Sequence, residues 1–177
     1  MHVGKYFPPI SGGIENYCAD LLGALHTQGI DARILVHDDP DGTSNNAIDY
    51  PSYVAATPVW FKLAFTPIAP GFRRAIDRQI RAWRPEVLHF HLPNPSTLWA
   101  LTLRSARSLP WVAHWHSDIV ASAHERRLRY LYRLYRPFEQ RFLNRCTAII
   151  ATSPPYAASS AAPVSYTHLT LPTTPYV

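Results

Sequence analysis

Cysteine is scarce in this chain, and long apolar runs and the common nucleotide-loop signatures are missing. Its two cysteines, Cys18 and Cys146, stand far apart in apolar-periodic stretches. That pattern excludes a disulfide framework and suits buried, reduced thiols. No run of about 18 apolar residues exists. The best candidate, near Trp60 to Ala69, is broken by Lys62 and Pro67, and the N-terminus is not a signal peptide. The expectation is a cytoplasmic protein, at most peripheral on the inner face of the membrane. Zinc-finger spacing, an aromatic RNA-binding signature and a basic low-complexity tail are absent, which argues against nucleic acid as a partner.

Other absences narrow the chemistry. After the first strand-like run, "PPISGGIE" offers one glycine pair but no G-x-G-x-x-G, so dinucleotide binding is disfavoured even though Asp38 and Asp39 follow the second strand. No G-K-[ST] follows, which excludes a P-loop. There is no HExxH and no G-x-S-x-G, so metalloprotease chemistry and a serine nucleophile both lack support.

What is present is length for one well-packed domain, 177 residues, and an uneven charge. Residues 1–60 carry two basic and seven acidic side chains, whereas 61–145 carry fifteen basic and five acidic ones. Nearly all of the positive charge is arginine on two helical stretches, and arginine's fork suits phosphate. In "HERRLRYLYRLYRPFEQRFLNR", Leu128, Leu131, Tyr132, Tyr135 and Phe142 mark one face and Arg126, Arg129, Arg133 and Arg136 another. Such a helix suits an anionic membrane surface. An ordinary sheet-covering helix with a solvated face satisfies the same pattern.

Apolar periodicity places strands at His2 to Tyr6, Ala32 to Val36, near Val54, Val87 to His91, Trp111 to His116 and Ala148 to Ala151. Helices are expected from Ile14 until Gly29 closes the first, and at Gly71 to Trp83, Ser96 to Ser108 and Glu125 to Arg145, the last kinked at Pro137. The proline- and aromatic-rich stretch 50–70 shows no clear period. Strand and helix alternate, which predicts an α/β fold: a Rossmann-like parallel sheet with helices on both faces and ligands at the carboxyl ends of the strands.

Gly12-Gly13 opens the first helix, where unpaired backbone N–H groups welcome an anion. A phosphate-friendly loop and a plain tight turn both remain open for it. His89-x-His91 and His114-x-His116-x-Asp118 each place two imidazoles on one strand face, which raises a metal site. The simpler expectation has His91 and His116 at strand ends facing ligand, and His89 and His114 deeper, bonded to polar neighbours. His116 with Asp118 offers donors and acceptors for a polyhydroxylated substrate, while a loop-capping histidine fits the same position.

Taken together, "HVGKYFPPISGGIENY", "LHFHLPNPSTLWA", "WVAHWHSDIV" and "AIIATSPPYAASS" resemble the N-terminal half of family 4 glycosyltransferases, particularly the branch that builds bacterial surface polysaccharides. The resemblance implies one half of a GT-B fold, with the sugar moved from a nucleotide-sugar donor to a saccharide or lipid-linked acceptor. It further implies retention of configuration and no metal or other cofactor. On this likeness Gly12 and Gly13 lie against the donor's diphosphate and sugar, His116 and Asp118 serve as catalytic cleft residues, and Asn94 and Ser117 are acceptor-side candidates. The basic helices would suit approach to a membrane-embedded acceptor.

The second Rossmann-like domain, which in that family holds the nucleotide, is not in this chain, so the fragment alone is expected to be inactive. Residues 1–163 form the expected domain. Val164 to Thr173, "VSYTHLTLPT", resemble the translation of a sequencing-library transposase adapter, and 164–177 are expected to be an artefactual tail without structure. The first strand is short for the middle of a parallel sheet, which suggests a lost upstream start. The competing reading is a stand-alone Rossmann-type module that binds a nucleotide or polyanion without catalysis.

Overall fold

A computed structural model describes residues 1–38, 48–63, 66–117, 126–152 and 169–170. The strands are β1 (His2–Val3), β2 (Ile34–His37), β3 (Val54–Thr57), β4 (Phe61–Leu63), β5 (Thr66–Ile68), β6 (Leu88–Leu92), β7 (Trp111–Trp115), β8 (Ala148–Ala151) and β9 (Leu169–Thr170). The helices are α1 (Gly13–Thr27), α2 (Phe72–Trp83), α3 (Arg104–Arg107) and α4 (Arg126–Arg145), with a 3-10 segment at Pro95–Thr102. One sheet runs β3-β2-β1-β6-β7-β8-β9, parallel throughout, and β4 and β5 form a separate antiparallel hairpin. From β3 to β8 this is the strand order of a Rossmann-like fold, with its switch point between β1 and β6. The predicted fold class is therefore the observed one.

Period-two alternation decides what each sheet face holds. On one face Leu88, Phe90, Leu92, Trp111, Ala113 and Trp115 join Phe72, Ile76, Ile80, Leu103, Phe142 and Leu143 in the main core. Those partners come from α2, the segment before α3, and α4, so these elements cover that side. On the other face α1 sets Cys18 and Leu22 against Ile34 and Val36 of β2. Both cysteines are buried and free. Among the described residues no helix is long and apolar enough to cross a membrane.

Three local departures have physical causes. β1 holds its ladder for only two residues instead of reaching Tyr6, because Asn94 Nδ2 donates to the Gly4 carbonyl at 2.8 Å, on the side facing β6. On the β2 side the bonding continues, from His37 N to Lys5 O at 2.9 Å. The single helix expected over 96–108 is instead a 3-10 segment and a short α3, divided at the extended Leu103. Thr97, Ala100 and Leu103 are all buried, and a period of three brings all of them to the core.

Stretch 50–70 resolves into β3 and the hairpin, where Trp60, Phe61 and Leu63 are exposed. In the tail expected to lack structure, Leu169–Thr170 pairs in parallel with Ile149 and Ile150. A strand at a sheet edge presents unpaired backbone groups that recruit such a segment.

Candidate functional site

At the carboxyl ends of β1, β6 and β7 a cavity of about 500 Å³ is lined by residues that include Lys5, Gly13, Glu15, Pro93, His116 and Ser117. This is the switch-point crevice in which open α/β sheets bind ligands. His116 follows β7, and its backbone N–H donates to Leu92 O at 3.0 Å, which holds the ring at the cavity wall. Its Nε2 lies 3.0 Å from His91 Nδ1, and His91 Nε2 lies 3.1 Å from His2 Nδ1. A neutral imidazole carries one N–H, so His91 donates at one nitrogen and accepts at the other.

Tyr17 of α1 lies edge-on over the array, with ring centroids 4.8 Å from His114 and 5.0 Å from His116. Burial, with repulsion from neighbouring imidazoles, lowers the pKa of His116 to about 3. Burial alone lowers His114 to about 4. At neutral pH the site therefore holds neutral rings and no imidazolium acid.

The two glycines separate in role. A side chain on Gly12 would collide with the Glu15 carboxylate, which folds back over it, whereas a Cβ on Gly13 meets nothing within 4 Å. Gly12 is the N-cap of α1, so Glu15 stands at the third helical position, where a carboxylate complements the helix N-terminus. The close approach that requires glycine at position 12 is thus made by the chain's own acid. Gly13 alone presents an open backbone to the cavity.

Lys5 and Glu15 are the site residues that sequence reading missed. Burial lowers the Lys5 pKa, and Glu15 raises it in opposition. The signal for Glu15 was the spacing from a cap residue to an acid three positions on. Lys5 had no signal, because the sequence placed it inside a first strand expected to run from His2 to Tyr6.

Asn94 requires a correction. It was expected at the cleft, but it is fully buried and its amide is spent on backbone, donating to Gly4 O and accepting from Ser96 N at 3.2 Å. It fastens β1 to the segment after β6 and is not among the residues lining the cavity. Ser117 is exposed and lines the cavity with His116. Asp118 lies outside the described residues. His89 and His114, expected to bond to polar neighbours, instead leave His89 Nε2 and His114 Nδ1 buried without a hydrogen-bond partner among the described residues.

Sheet order and crevice define a Rossmann-like domain that presents polar side chains and one open glycine at the carboxyl ends of its strands. Glycosyltransferase Family 4 matches residues 11–163, and the chain belongs to that family. It is 31% identical over 163 residues to an O-antigen chain mannosyltransferase C of Escherichia coli, covering 90% of this chain and 41% of that protein. A D-rhamnosyltransferase of Pseudomonas aeruginosa is 29% identical over 164 residues, covering 90% of this chain and 40% of that protein. A phosphatidyl-myo-inositol mannosyltransferase of Mycolicibacterium smegmatis is 25% identical over 154 residues, covering 82% and 37% respectively. The chain thus spans well under half the length of each of these relatives.

Proposed function

We propose that residues 1–163 are the acceptor-side half of a retaining GT-B glycosyltransferase. The whole protein transfers a sugar from a nucleotide-sugar donor to a saccharide acceptor, lipid-linked and destined for a surface polysaccharide. The observation that carries this reading is the crevice holding Gly13, Lys5, Glu15 and His116 in a chain of this family. The printed names of the relatives, two of them mannosyltransferases and one a rhamnosyltransferase, support sugar transfer.

In such a transfer the bond from the sugar's anomeric carbon to the donor diphosphate breaks, and an acceptor oxygen bonds on the same face. The acceptor's proton leaves with the diphosphate. A neutral His116, its Nε2 bonded to His91 Nδ1, orients a sugar hydroxyl through its Nδ1. The Lys5 ammonium supplies positive charge toward the departing diphosphate, and Glu15 accepts from sugar hydroxyls. No step of this scheme uses a metal. Ser117, just after β7, and its sequence neighbour Asp118 shape the acceptor side.

Exposed Arg73, Arg74, Arg78 and Arg81 on α2, with Arg133 and Arg136 on α4, suit peripheral binding to an anionic cytoplasmic membrane face. The family match ends at residue 163, which supports placing 164–177 outside the domain. A second Rossmann-like domain in the full-length protein would supply the nucleotide pocket, leaving this half inactive alone.

The test is a transfer assay on the full-length protein recovered from source DNA. Loss of a preorganised polar contact to the transition state typically costs about 100-fold, so His116→Ala is expected to lose about that factor in kcat. Donor binding should persist in the variant. An unchanged rate in His116→Ala, or turnover by residues 1–163 alone, would overturn this assignment.

A further inference from the structure

Three histidines of this sheet face form a row, and the row has a direction. β1 pairs with β6 so that His2 faces His89, and β6 pairs with β7 so that His91 faces His114. Side chains two apart share a face, so the row His2, His91, His116 climbs diagonally across the three strands. Its linked nitrogens are 3.1 Å and 3.0 Å apart while the ring centres are 5.4 Å and 5.3 Å apart, with the planes inclined by only 20° and 22°. The two kinds of separation differ by two ring radii, so each pair meets edge to edge and nearly coplanar, with the N–H of one ring aimed along the lone pair of the next. His114 stands outside the row. Its ring lies flat on that of His116 at 4.1 Å and 5°, which fixes the plane of the terminal ring.

A neutral imidazole carries one proton, on one of its two nitrogens. Burial, reinforced by neighbouring imidazoles, keeps these three neutral, lowering His2 to about 2, His116 to about 3 and His91 well below its ordinary value. Both links form only when all three protons sit on Nδ1 or all three on Nε2. Any mixture sets two N–H groups, or two lone pairs, against each other at one link. A free neutral histidine prefers its proton on Nε2, and the row applies that preference three times over.

We propose that His2 and His91 are positioning residues that hold all three protons on Nε2, so that His116 presents the lone pair of Nδ1 to the crevice and takes a ligand hydroxyl that donates to it. That the hydroxyl belongs to a sugar rests on the transfer reading, whereas the order of the protons rests on the row alone. Linked hydrogen bonds polarise one another, so a ring that donates through Nε2 accepts more strongly at Nδ1. Lys5, which shares the crevice, favours a lone pair there, and Glu15 opposes it. His2 lines a separate cavity of about 660 Å³ at the amino ends of the strands, so neither end of the row is sealed in the apolar core.

The test is proton placement read by NMR on the chain carrying isotope-labelled histidine, at about pH 8, above the ordinary histidine pKa. Two histidines outside the row calibrate it. His26 donates from Nε2 to Ala32 O at 2.7 Å and His37 from Nδ1 to Lys5 O at 2.8 Å, so each carbonyl fixes one tautomer and both report that the chain is folded. His2, His91 and His116 should each read as His26 does, with scalar coupling across both N–H···N links. His2→Arg sets a guanidinium, which only donates, beside His91 Nε2 and should turn His91 and His116 to the His37 pattern. Loss of packing alone does not reverse a tautomer two links away. A proton on His116 Nδ1 in the unmodified chain, mixed tautomers along the row, or a folded His2→Arg that leaves His116 unchanged would each overturn the proposal. In the full-length protein His2→Arg should lower kcat by up to the roughly 100-fold expected of His116→Ala. Reversed protons with an unchanged rate would uphold the row and overturn only the part given to His116 in transfer.

Discussion

Strands β6 and β7 carry two faces of opposite chemistry. Leu88, Phe90, Leu92, Trp111, Ala113 and Trp115 turn into a closed apolar core. The residues between them, His89, His91, Val112 and His114, put three imidazoles on the other side, where His2 of β1 joins them. Strands in the middle of a parallel sheet are ordinarily apolar on both faces. Each buried polar atom left unpaired costs about 1–3 kcal/mol, so the histidine face is retained against stability. The apolar face holds the domain together, and the histidine face, which opens on the crevice, carries the polar chemistry.

The largest effect that would break this contrast comes from the apolar face. Trp111 is fully buried, donates from Nε1 to Ala106 O at 2.7 Å and lies under the Arg145 guanidinium. Trp111→Ala is expected to cost about 3–5 kcal/mol, read as a fall in the urea midpoint. A loss under about 1 kcal/mol, the range of ordinary surface substitutions, would mean that the core is not centred on this face.

His37 sharpens the contrast, because it is a histidine on the apolar side and fully partnered. It stacks on Phe72 at 4.1 Å, donates from Nδ1 to Lys5 O at 2.8 Å, and accepts at Nε2 from Ser96 Oγ at 2.9 Å. Burial lowers its pKa to about 4, with the Lys5 carbonyl bond opposing that shift. The unfolded chain therefore binds a proton near the ordinary value of about 6.5, while the folded one does not. The stability from His37 is complete above that pH and is lost as pH falls toward 4, at up to about 1.4 kcal/mol per pH unit. His37→Gln should remove that share of the slope between pH 6.5 and 4 in urea midpoints measured across pH. An identical slope in the variant would show that His37 is not held neutral.

The smallest expected effect lies at the crevice. Gly13→Ala places a methyl in open space within a helix and should stabilise by about 0.4–1 kcal/mol. Gly12→Ala must push the Glu15 carboxylate aside. Thermal melts of the two variants separate a glycine kept for backbone approach from one kept for an internal acid. Equal effects would mean that Glu15 does not lie over Gly12.

Much of the fold was legible because period and caps are local properties. β8 lies where alternation placed it, and α2 starts one residue inside its expected span and ends with it. The segment before α3 was misread because its buried residues recur every three positions, a period that short stretches share with an α-helix. Of the candidates named from the sequence, Gly13, His116 and Ser117 line the cavity, whereas Gly12 lies under the Glu15 carboxylate. Asn94 misled because a polar residue after a strand suits a ligand contact and a backbone clamp equally, and only the position of Gly4 decides between them.

The sequence by itself determined the order of elements, the alternation that sets histidines against aromatics, and the resemblance to family 4, all of which follow from spacing along the chain. Tertiary structure alone decided that His2 meets His91 across 89 positions and that Asn94 reaches Gly4 across 90. It also decided that Glu15 covers Gly12 while Gly13 stays open. The physical reason is strand register: local periodicity says which face a side chain takes, and only the pairing of distant strands says which other side chain it meets there.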